Sequence, residues 1–311
     1  MAGIWIYSEI TNVAEQLLTV GRDLADKLTQ PLCAVTIFAE DAQTLIASGA
    51  DKVLVLKGEN PWPESYAVAI SELAAKESPT VMLIGATLRG KDLAAKVAAL
   101  LKTGLVTDAF AIREENGTIE TERMMYGGLA VCTEVVGERG LITVPPRTYE
   151  ALTKDTSRVG EVIALDVITE ATMVVGNVCP VIRKGADITT ADKLVCVGRG
   201  IGKQEDMELA TQLAAALGAE IGCTRSIAED YHWLPNESYI GLSGQKVKPS
   251  LYLSLGISGQ VQHVAGIRDS KIIVAIDSNE NAPIFGAADY GIVGDLYQIV
   301  PLLTQAIKNK L

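Results

Sequence analysis

The sequence predicts an α/β protein of two domains, an N-terminal parallel α/β sheet and a C-terminal Rossmann-like domain. In the N-terminal half, short apolar runs alternate with segments of helical apolar spacing, an order typical of a parallel sheet with helices on both faces. The alternation resumes in the last third, where strands end in glycine-rich turns that open helices. At 311 residues, the chain is long enough to build two hydrophobic cores.

Each element of the N-terminal half follows from its apolar spacing. The apolar runs predicted as strands are 4–7, 31–38, 52–56 and 81–84. The segments predicted as helices are 13–28, a short helix ending at residue 47, 66–76 and 93–101. A hairpin turn is predicted at 114–117, and further strands at 162–167 and 173–175. The polar segment 151–160 fits a linker or an exposed loop.

The predicted domain boundary lies near residue 188, which gives an N-terminal domain of 1–188 and a C-terminal domain of 189–311. In the latter, strands are predicted at 191–197, 251–255 and 271–276, and a helix at about 205–217.

The segment Gly85–Asp92 has two interpretations. Its two glycines, with Arg89 and Lys91, would suit a phosphate site at the start of a helix. This would be a second site, in addition to a nucleotide site in the C-terminal domain. Alternatively, the segment is a strand-to-helix loop that caps the helix and carries surface charge. The spacing is not that of a phosphate-binding P-loop, so both interpretations stand.

The turn Gly198–Gly202 follows the strand at 191–197 and precedes a helix, as in the first unit of a nucleotide-binding fold. Unpaired N–H groups at such a junction favour a phosphate. The turn departs from Gly-x-Gly-x-x-Gly because Lys203 occupies the third glycine position. Glu220 lies where an NAD-binding fold places its ribose acid. An NAD-dependent Rossmann oxidoreductase is therefore an alternative, although no Lys–Tyr or His–Asp proton-transfer pair has a recognisable spacing.

Composition excludes several functional classes. The formal net charge is −11, which argues against nucleic acid or an anionic membrane as the main partner. No apolar run approaches the roughly 18 residues that suggest a membrane span. The five cysteines form no Cys-x-x-Cys pair, so neither disulfides nor a metal site are expected. With no signal-peptide pattern at the start, we expect a cytoplasmic location.

The last third of the chain also resembles a known family. The runs LYLSLGISGQVQH, KIIVAI, APIF and ADYGIVGDL follow one another there. They are similar to the C-terminal FAD-binding domain of electron-transfer flavoprotein alpha subunits, and YGGLA in the N-terminal half is similar to the Fix-type branch. The resemblance implies FAD as the cofactor and an electron-transfer flavoprotein beta subunit as the partner. The N-terminal domain would then serve as scaffold and subunit interface, with no nucleotide of its own.

The same resemblance implies an electron carrier without substrate chemistry of its own. Electrons would pass from a dehydrogenase or an NADH-side donor to a quinone- or acyl-CoA-linked oxidoreductase, and an electron-bifurcating system is one form of this. A third class, a non-redox nucleotide-binding module of the universal-stress type, is suggested by the N-terminal half alone.

The resemblance also implies which residues contact FAD. Arg225 is placed over the isoalloxazine ring, Ser243 at flavin N5 and His263 at the flavin O2 edge. The implied contacts are Arg199, Thr224, Arg225, Ile240, Gly241, Leu242, Ser243, Ser258, Gly259, Gln260, Val261, Gln262, His263, Asp277, Asp295 and Leu296.

Three of these residues have a structural alternative: Arg225 as an exposed ion pair, His263 as a core residue that holds its loop, and Asp295 as an acid in a helix turn. Two others depart from the family pattern. Leu242 replaces a glutamine, and Asp277 replaces an asparagine. An ionised carboxylate cannot donate a hydrogen bond and repels phosphate, which leaves ribose hydroxyls as its partners, or moves the contact to Ser278 or Asn279.

Overall fold

The computed structural model describes residues 3–137, 139–169, 176–179 and 187–310. The chain divides into two compact units, Met1–Asn177 and Val178–Leu311. The strand predicted at 173–175 lies outside the described residues, and the predicted boundary near residue 188 stays a prediction.

The elements of the first unit alternate much as the apolar pattern predicts. Its strands are β1 (Ile4–Tyr7), β2 (Leu32–Thr36), β3 (Lys52–Lys57), β4 (Val81–Gly85), β5 (Leu105–Val106), β6 (Ala109–Glu115), β7 (Thr118–Met125), β8 (Ala130–Val136), β9 (Gly140–Val144) and β10 (Glu161–Asp166). Its helices are α1 (Thr11–Leu28), α2 (Ala42–Ala47), α3 (Ala67–Glu77) and α4 (Leu88–Leu101).

The main sheet of this unit has the strand order β10-β3-β2-β1-β4-β9-β5, and each of its pairings is parallel. Side chains of a strand point alternately to opposite faces. In β1, Ile4 and Ile6 accordingly belong to one core cluster, and Trp5 and Tyr7 to the other. Both faces are covered, which confirms the predicted parallel α/β architecture.

Helix α4 begins at Leu88 rather than near residue 93, so the Gly85–Asp92 loop was predicted too long. Thr87 caps the helix by accepting the Gly90 N–H at 2.8 Å, as expected for an N-cap threonine. Both candidate phosphate ligands have partners within the unit. Arg89 lies 4.7 Å from the centre of the Trp62 ring and pairs with Glu64. Lys91 pairs with Asp108 at 2.8 Å. The contacts favour the capped-helix interpretation.

A small antiparallel sheet, ordered β6-β7-β8, confirms the hairpin predicted at 114–117. Asn116 and Gly117 connect β6 to β7 with φ angles of 53° and 80°. A two-residue hairpin turn favours left-handed residues such as Asn-Gly because their twist matches that of the strands.

The polar segment 151–160 is an exposed loop that belongs to the first unit. Lys154 pairs with Glu15 at 2.6 Å, and the guanidinium of Arg158 pairs with Asp51 at 2.5 Å. The segment leads directly into the edge strand β10.

The second unit is a smaller parallel α/β unit. Its strands are β11 (Lys193–Val197), β12 (Glu220–Cys223), β13 (Leu251–Leu255), β14 (Ile273–Asp277) and β15 (Tyr290–Val293), and its helices are α5 (Met207–Leu217), α6 (Val261–Ile267) and α7 (Leu296–Lys308). The strand order is β12-β11-β13-β14-β15, with parallel pairing throughout. The direction of winding reverses between β11 and β13, and ligands of such sheets bind at the carboxyl ends of the strands at this switch point.

Candidate cofactor site

A cavity of about 710 Å³ lies at the carboxyl ends of β11 and β13. Twelve of the sixteen predicted contacts line it: Arg199, Thr224, Arg225, Ile240, Ser243, Ser258, Gln260, Gln262, His263, Asp277, Asp295 and Leu296. The predicted contacts that do not line it lie in the same loops: Gly241, Leu242, Gly259 and Val261. The strand-end loops therefore converge on one concave site within the second unit.

One wall of the cavity is formed by two strand-end loops that cross backbone to backbone. The N–H of Gly200 donates to the carbonyl of Gly256 at 2.9 Å. A Cβ on Gly200 would stand 2.5 Å from the Cα of Gly256, and Gly256 itself has a φ of +60°. Glycine is needed at both positions because a side chain on either would push the two loops apart.

Arg225 follows β12 and lies on the solvent-facing side of the cavity, with about two thirds of its side chain exposed. Its Nε donates to Glu229 Oε2 at 2.5 Å, which raises the pKa of the guanidinium. A single turn of π-helix, Ser226–Asp230, carries this glutamate. The exposed ion pair foreseen as an alternative is present, and the same residue still lines the cavity.

Ser243 has a fixed hydroxyl partner. Its Oγ lies 3.0 Å from the phenol oxygen of Tyr239, and either group can be the donor. The N–H of Leu242 donates to the carbonyl of Gln262 at 2.7 Å, while its side chain is exposed. The 240–243 loop is thereby held against the start of α6, with the Ser243 side chain rather than Leu242 in the cavity.

His263 is buried and both of its ring nitrogens have protein partners. Nδ1 lies 3.0 Å from the Ile240 carbonyl, which can only accept, so Nδ1 carries the proton. Nε2 then accepts from the Tyr252 hydroxyl at 2.7 Å. Burial lowers the pKa of His263 to about 4, because an apolar environment disfavours the charged ring. The ring therefore holds the 240–243 loop as a neutral imidazole, and a contact at the flavin O2 edge stays a prediction.

Two carboxylates in the cavity have local roles. Asp277 ends β14 and accepts the N–H of Asn279 at 2.9 Å. Asp295 caps α7 by accepting the N–H of Tyr297 at 2.9 Å, as the helix-turn alternative supposed. Both line the cavity together with Ser278, and their contact with a ligand stays a prediction.

Family models match both units of the chain. The electron transfer flavoprotein domain matches residues 7–170, more than half of the sequence. The electron transfer flavoprotein FAD-binding domain matches residues 187–268. The chain belongs to the electron transfer flavoprotein family. The match at 187–268 bears out the prediction of FAD as cofactor, and alpha-type subunits of this family pair with a beta subunit.

Curated relatives of this electron transfer flavoprotein match it along nearly its whole length. The "Putative electron transfer flavoprotein subunit YdiR" of Escherichia coli K12 is 38% identical, covering 98% of each chain. Protein FixB of Salmonella typhimurium LT2 is 35% identical, also over 98% of each chain. Among solved structures, a benzoylformate decarboxylase from Polynucleobacter necessarius matches with 9% identity and a TM-score of 0.26, covering 98% of this chain and 58% of that one.

The residues of the cavity suit a flavin dinucleotide. Gly200 and Gly256 let two strand-end loops cross at the cavity wall, and Arg199 and Arg225 supply positive charge for an anionic group. Hydroxyls of Ser243 and Ser258 add donors and acceptors. A few such polar groups in a large cleft are typical of a cofactor site.

Some cavity residues are not among the sixteen predicted contacts. These additional lining residues are Gly200, Ser226, Tyr239, Gly256, Ile257, Ser278, Gly294 and Tyr297. Ser278 is one of the two residues to which the sequence allowed the Asp277 contact to move. The glycines follow strand ends, a signal that could have included them. Tyr239 and Tyr297 carry no such signal, because their places depend on partners brought together by folding.

All five cysteines are free thiols. Across the described ranges, no cluster of three or more His, Cys, Asp or Glu side chains could hold a metal ion. Over the same residues, no helix combines the length and apolar character needed to cross a membrane.

Proposed function

We propose that this chain is the alpha subunit of a heterodimeric electron-transfer flavoprotein that binds FAD in the cavity of its second unit. The main support is the convergence of twelve expected contacts on one cavity at the switch point of the sheet. That convergence joins chain segments as far apart as Arg199 and Leu296, and a glycine-rich turn alone would not require it.

When bound, FAD supplies a group that accepts and releases electrons one at a time. In this proposal the residues of the chain bind and orient it. Gly200 and Gly256 let the two loops cross and so form the wall beside which the dinucleotide would lie. Arg225 places a cation where negative charge develops, and Ser243 offers a hydroxyl that can donate or accept. His263 has both nitrogens engaged by the protein, so its part is to hold the loop rather than to transfer a proton.

The partners follow from the same proposal. Residues 1–188 serve as scaffold and as the interface for the beta subunit, and residues 189–311 hold FAD. Electrons pass between a dehydrogenase or NADH-side donor and a quinone- or acyl-CoA-linked acceptor, with bifurcation as one arrangement of this transfer. The support is family membership together with similarity to proteins named as an electron transfer flavoprotein subunit and FixB.

Purification of the heterodimer tests this function. We expect a yellow complex with a flavin band at roughly 450 nm, and FAD released on denaturation in one equivalent per chain beyond any carried by the beta subunit. A Gly200→Val variant, whose side chain would displace the Gly256 loop, should lose that equivalent. A complex that neither retains nor rebinds FAD but binds NAD would instead support the Rossmann oxidoreductase.

An Arg225→Ala variant is expected to lower the first reduction potential of the flavin. A fixed cation beside the ring stabilises the negative charge gained on reduction, so its loss makes reduction harder, by a shift on the order of tens of millivolts because an exposed charge is screened. Spectroelectrochemical titration of the heterodimer measures the shift.

Two control variants test whether the charge of Arg225 causes the shift in reduction potential. Arg225→Lys retains the charge and should shift the potential less. Glu229→Gln removes the partner carboxylate and should shift it in the opposite direction. If the first reduction potential of the flavin in all three variant complexes equals that of wild type, Arg225 does not act on the ring.

A further inference from the structure

The hydroxyl of Tyr297 joins two segments that both flank the cavity. It accepts the N–H of Gly202 at 3.0 Å and donates to Asp206 Oδ2 at 2.7 Å. Gly202 and Asp206 lie between β11 and α5, whereas Tyr297 is the second residue of α7. One phenol therefore connects the loop after the first strand of the sheet to the last helix.

The phenol of Tyr297 is protonated at neutral pH, as a donor must be, because the ordinary pKa of tyrosine is about 10. The Gly202 N–H favours the phenolate, but the hydrogen bond to Asp206, desolvation and the charges of Asp206 and Asp295 oppose it. The net effect raises the pKa of Tyr297 above its ordinary value. At physiological pH the hydroxyl of Tyr297 therefore donates to Asp206 while it accepts from Gly202.

The connected loop is the one that forms the glycine wall. Gly200 in this loop crosses Gly256 backbone to backbone, and Arg199 and Gly200 line the cavity beside Asp295 and Tyr297. The start of α7 is fixed independently, because Asp295 caps it through the Tyr297 N–H. Tyr297 therefore ties a glycine-rich loop to an anchored helix end.

The two hydrogen bonds of the Tyr297 hydroxyl lie at the protein surface, so they can break without unfolding the core. The Tyr297 residue is 40% exposed, and water can reach Gly202 and Asp206 when the bonds break. Replacement by phenylalanine keeps the ring and removes both bonds, so the fold should tolerate it.

We propose that the Tyr297 hydroxyl is a latch that holds the Gly198–Lys203 loop against α7 and slows the release of bound FAD. This inference rests on the proposed function, because it assumes that FAD occupies the cavity. Tyr297 is a positioning residue in this scheme: it acts through the loop whose backbone forms the wall.

Release of FAD from the purified heterodimer tests the latch. Dissociation of FAD from the alpha subunit is followed by the rise in flavin fluorescence after dilution. We expect Tyr297→Phe to release FAD faster, by about five- to thirty-fold, since one or two hydrogen bonds are lost. Tyr290→Phe, at an exposed tyrosine of β15, is the matched control and should release FAD at the wild-type rate.

Variants of Asp206 separate the latch from a general structural role. Asp206→Asn retains an acceptor oxygen and should stay near the wild-type rate, whereas Asp206→Ala should release FAD faster. The flavin potential should be unchanged in Tyr297→Phe, and the FAD-free heterodimer should stay folded with a slightly lower melting temperature, because the two surface hydrogen bonds are lost there too. A Tyr297→Phe or Asp206→Ala complex that releases FAD at the wild-type rate would overturn the latch and leave the proposed function standing. A wild-type heterodimer that retains no FAD on this chain would overturn both.

Discussion

A Gly259→Ala variant is expected to destabilise the second unit by about 3 kcal/mol and to lose FAD. Gly259 has a φ of +79°, a left-handed conformation that costs an L-residue roughly 1–2 kcal/mol. A Cβ there would also overlap the backbone nitrogen and Cα of Ile284, and overpacking of this kind adds about 1–3 kcal/mol. The loop that must move includes Ser258, which lines the cavity.

Gly218→Ala is the matched control for Gly259→Ala. Gly218 has a similar φ of +63° at the end of α5, but its added Cβ would meet no atom within 4 Å. Only the conformational cost of about 1–2 kcal/mol applies, and FAD should be retained. Urea unfolding of the two variants, with FAD content measured in parallel, gives the difference. Equal losses of stability in Gly259→Ala and Gly218→Ala would mean that the segment at Ile284 moves aside and that the added Cβ causes no clash.

The alternation of strands and helices could be predicted from sequence because burial on both faces imposes it. Leu194, Val195, Cys196 and Val197 are all almost completely buried, and such an uninterrupted apolar run is typical of a central parallel strand. The hairpin at 114–117 was predictable for a local reason, since Asn-Gly suits its turn.

The start of α4 could not be read from apolar spacing. Leu88 is 91% exposed, and the first large apolar side chain that the helix buries is Leu93, so the apolar period starts there. The true beginning depends on Thr87, whose hydroxyl accepts the Gly90 N–H and donates to Glu9. Capping of this kind takes precedence over the apolar pattern at helix ends.

Part of the candidate site was predictable from the sequence and part was not, as for the elements of the fold. Residues at or just after strand ends, such as Asp277 and Ser258, could be foreseen because parallel strands bring their carboxyl ends to one edge. The partners of individual side chains could not. Tyr297 meets Gly202 across 95 positions of sequence, and no periodicity encodes that contact.

Acidification is expected to destabilise the second unit through His263. In the folded protein the pKa of His263 is about 4, against an ordinary value of 6.5. Between these values the unfolded chain binds a proton that the folded chain does not, so the free energy of unfolding falls as the pH falls. At 1.36 kcal/mol per pKa unit, the total loss between pH 6.5 and pH 4 is about 3 kcal/mol. Above about pH 7.5 this residue contributes almost no pH dependence, because the unfolded chain has then also lost the proton.

The chain's two histidines allow this effect to be isolated. His263→Gln removes the titration while its amide can still donate to Ile240 and accept from Tyr252. His232→Gln leaves His263 in place. Carboxylates also titrate near pH 4, so the informative quantity is the difference in unfolding free energy between each variant and wild type. That difference should change with pH between 6.5 and 4 for His263→Gln, and the part of the pH dependence that is due to His263 should persist in His232→Gln.

The same protonation should weaken the cofactor site. A proton on Nε2 removes the acceptor of the Tyr252 hydroxyl, and the charged ring is disfavoured by burial. The Nδ1–H bond to Ile240 is then lost as the ring moves toward water, which frees the loop that carries Ser243. FAD release from the wild-type heterodimer should therefore accelerate as the pH approaches 4, where His263 of the folded protein takes up the proton, and His263→Gln should flatten the acceleration. If release in the two proteins follows the same pH profile, His263 does not hold the loop.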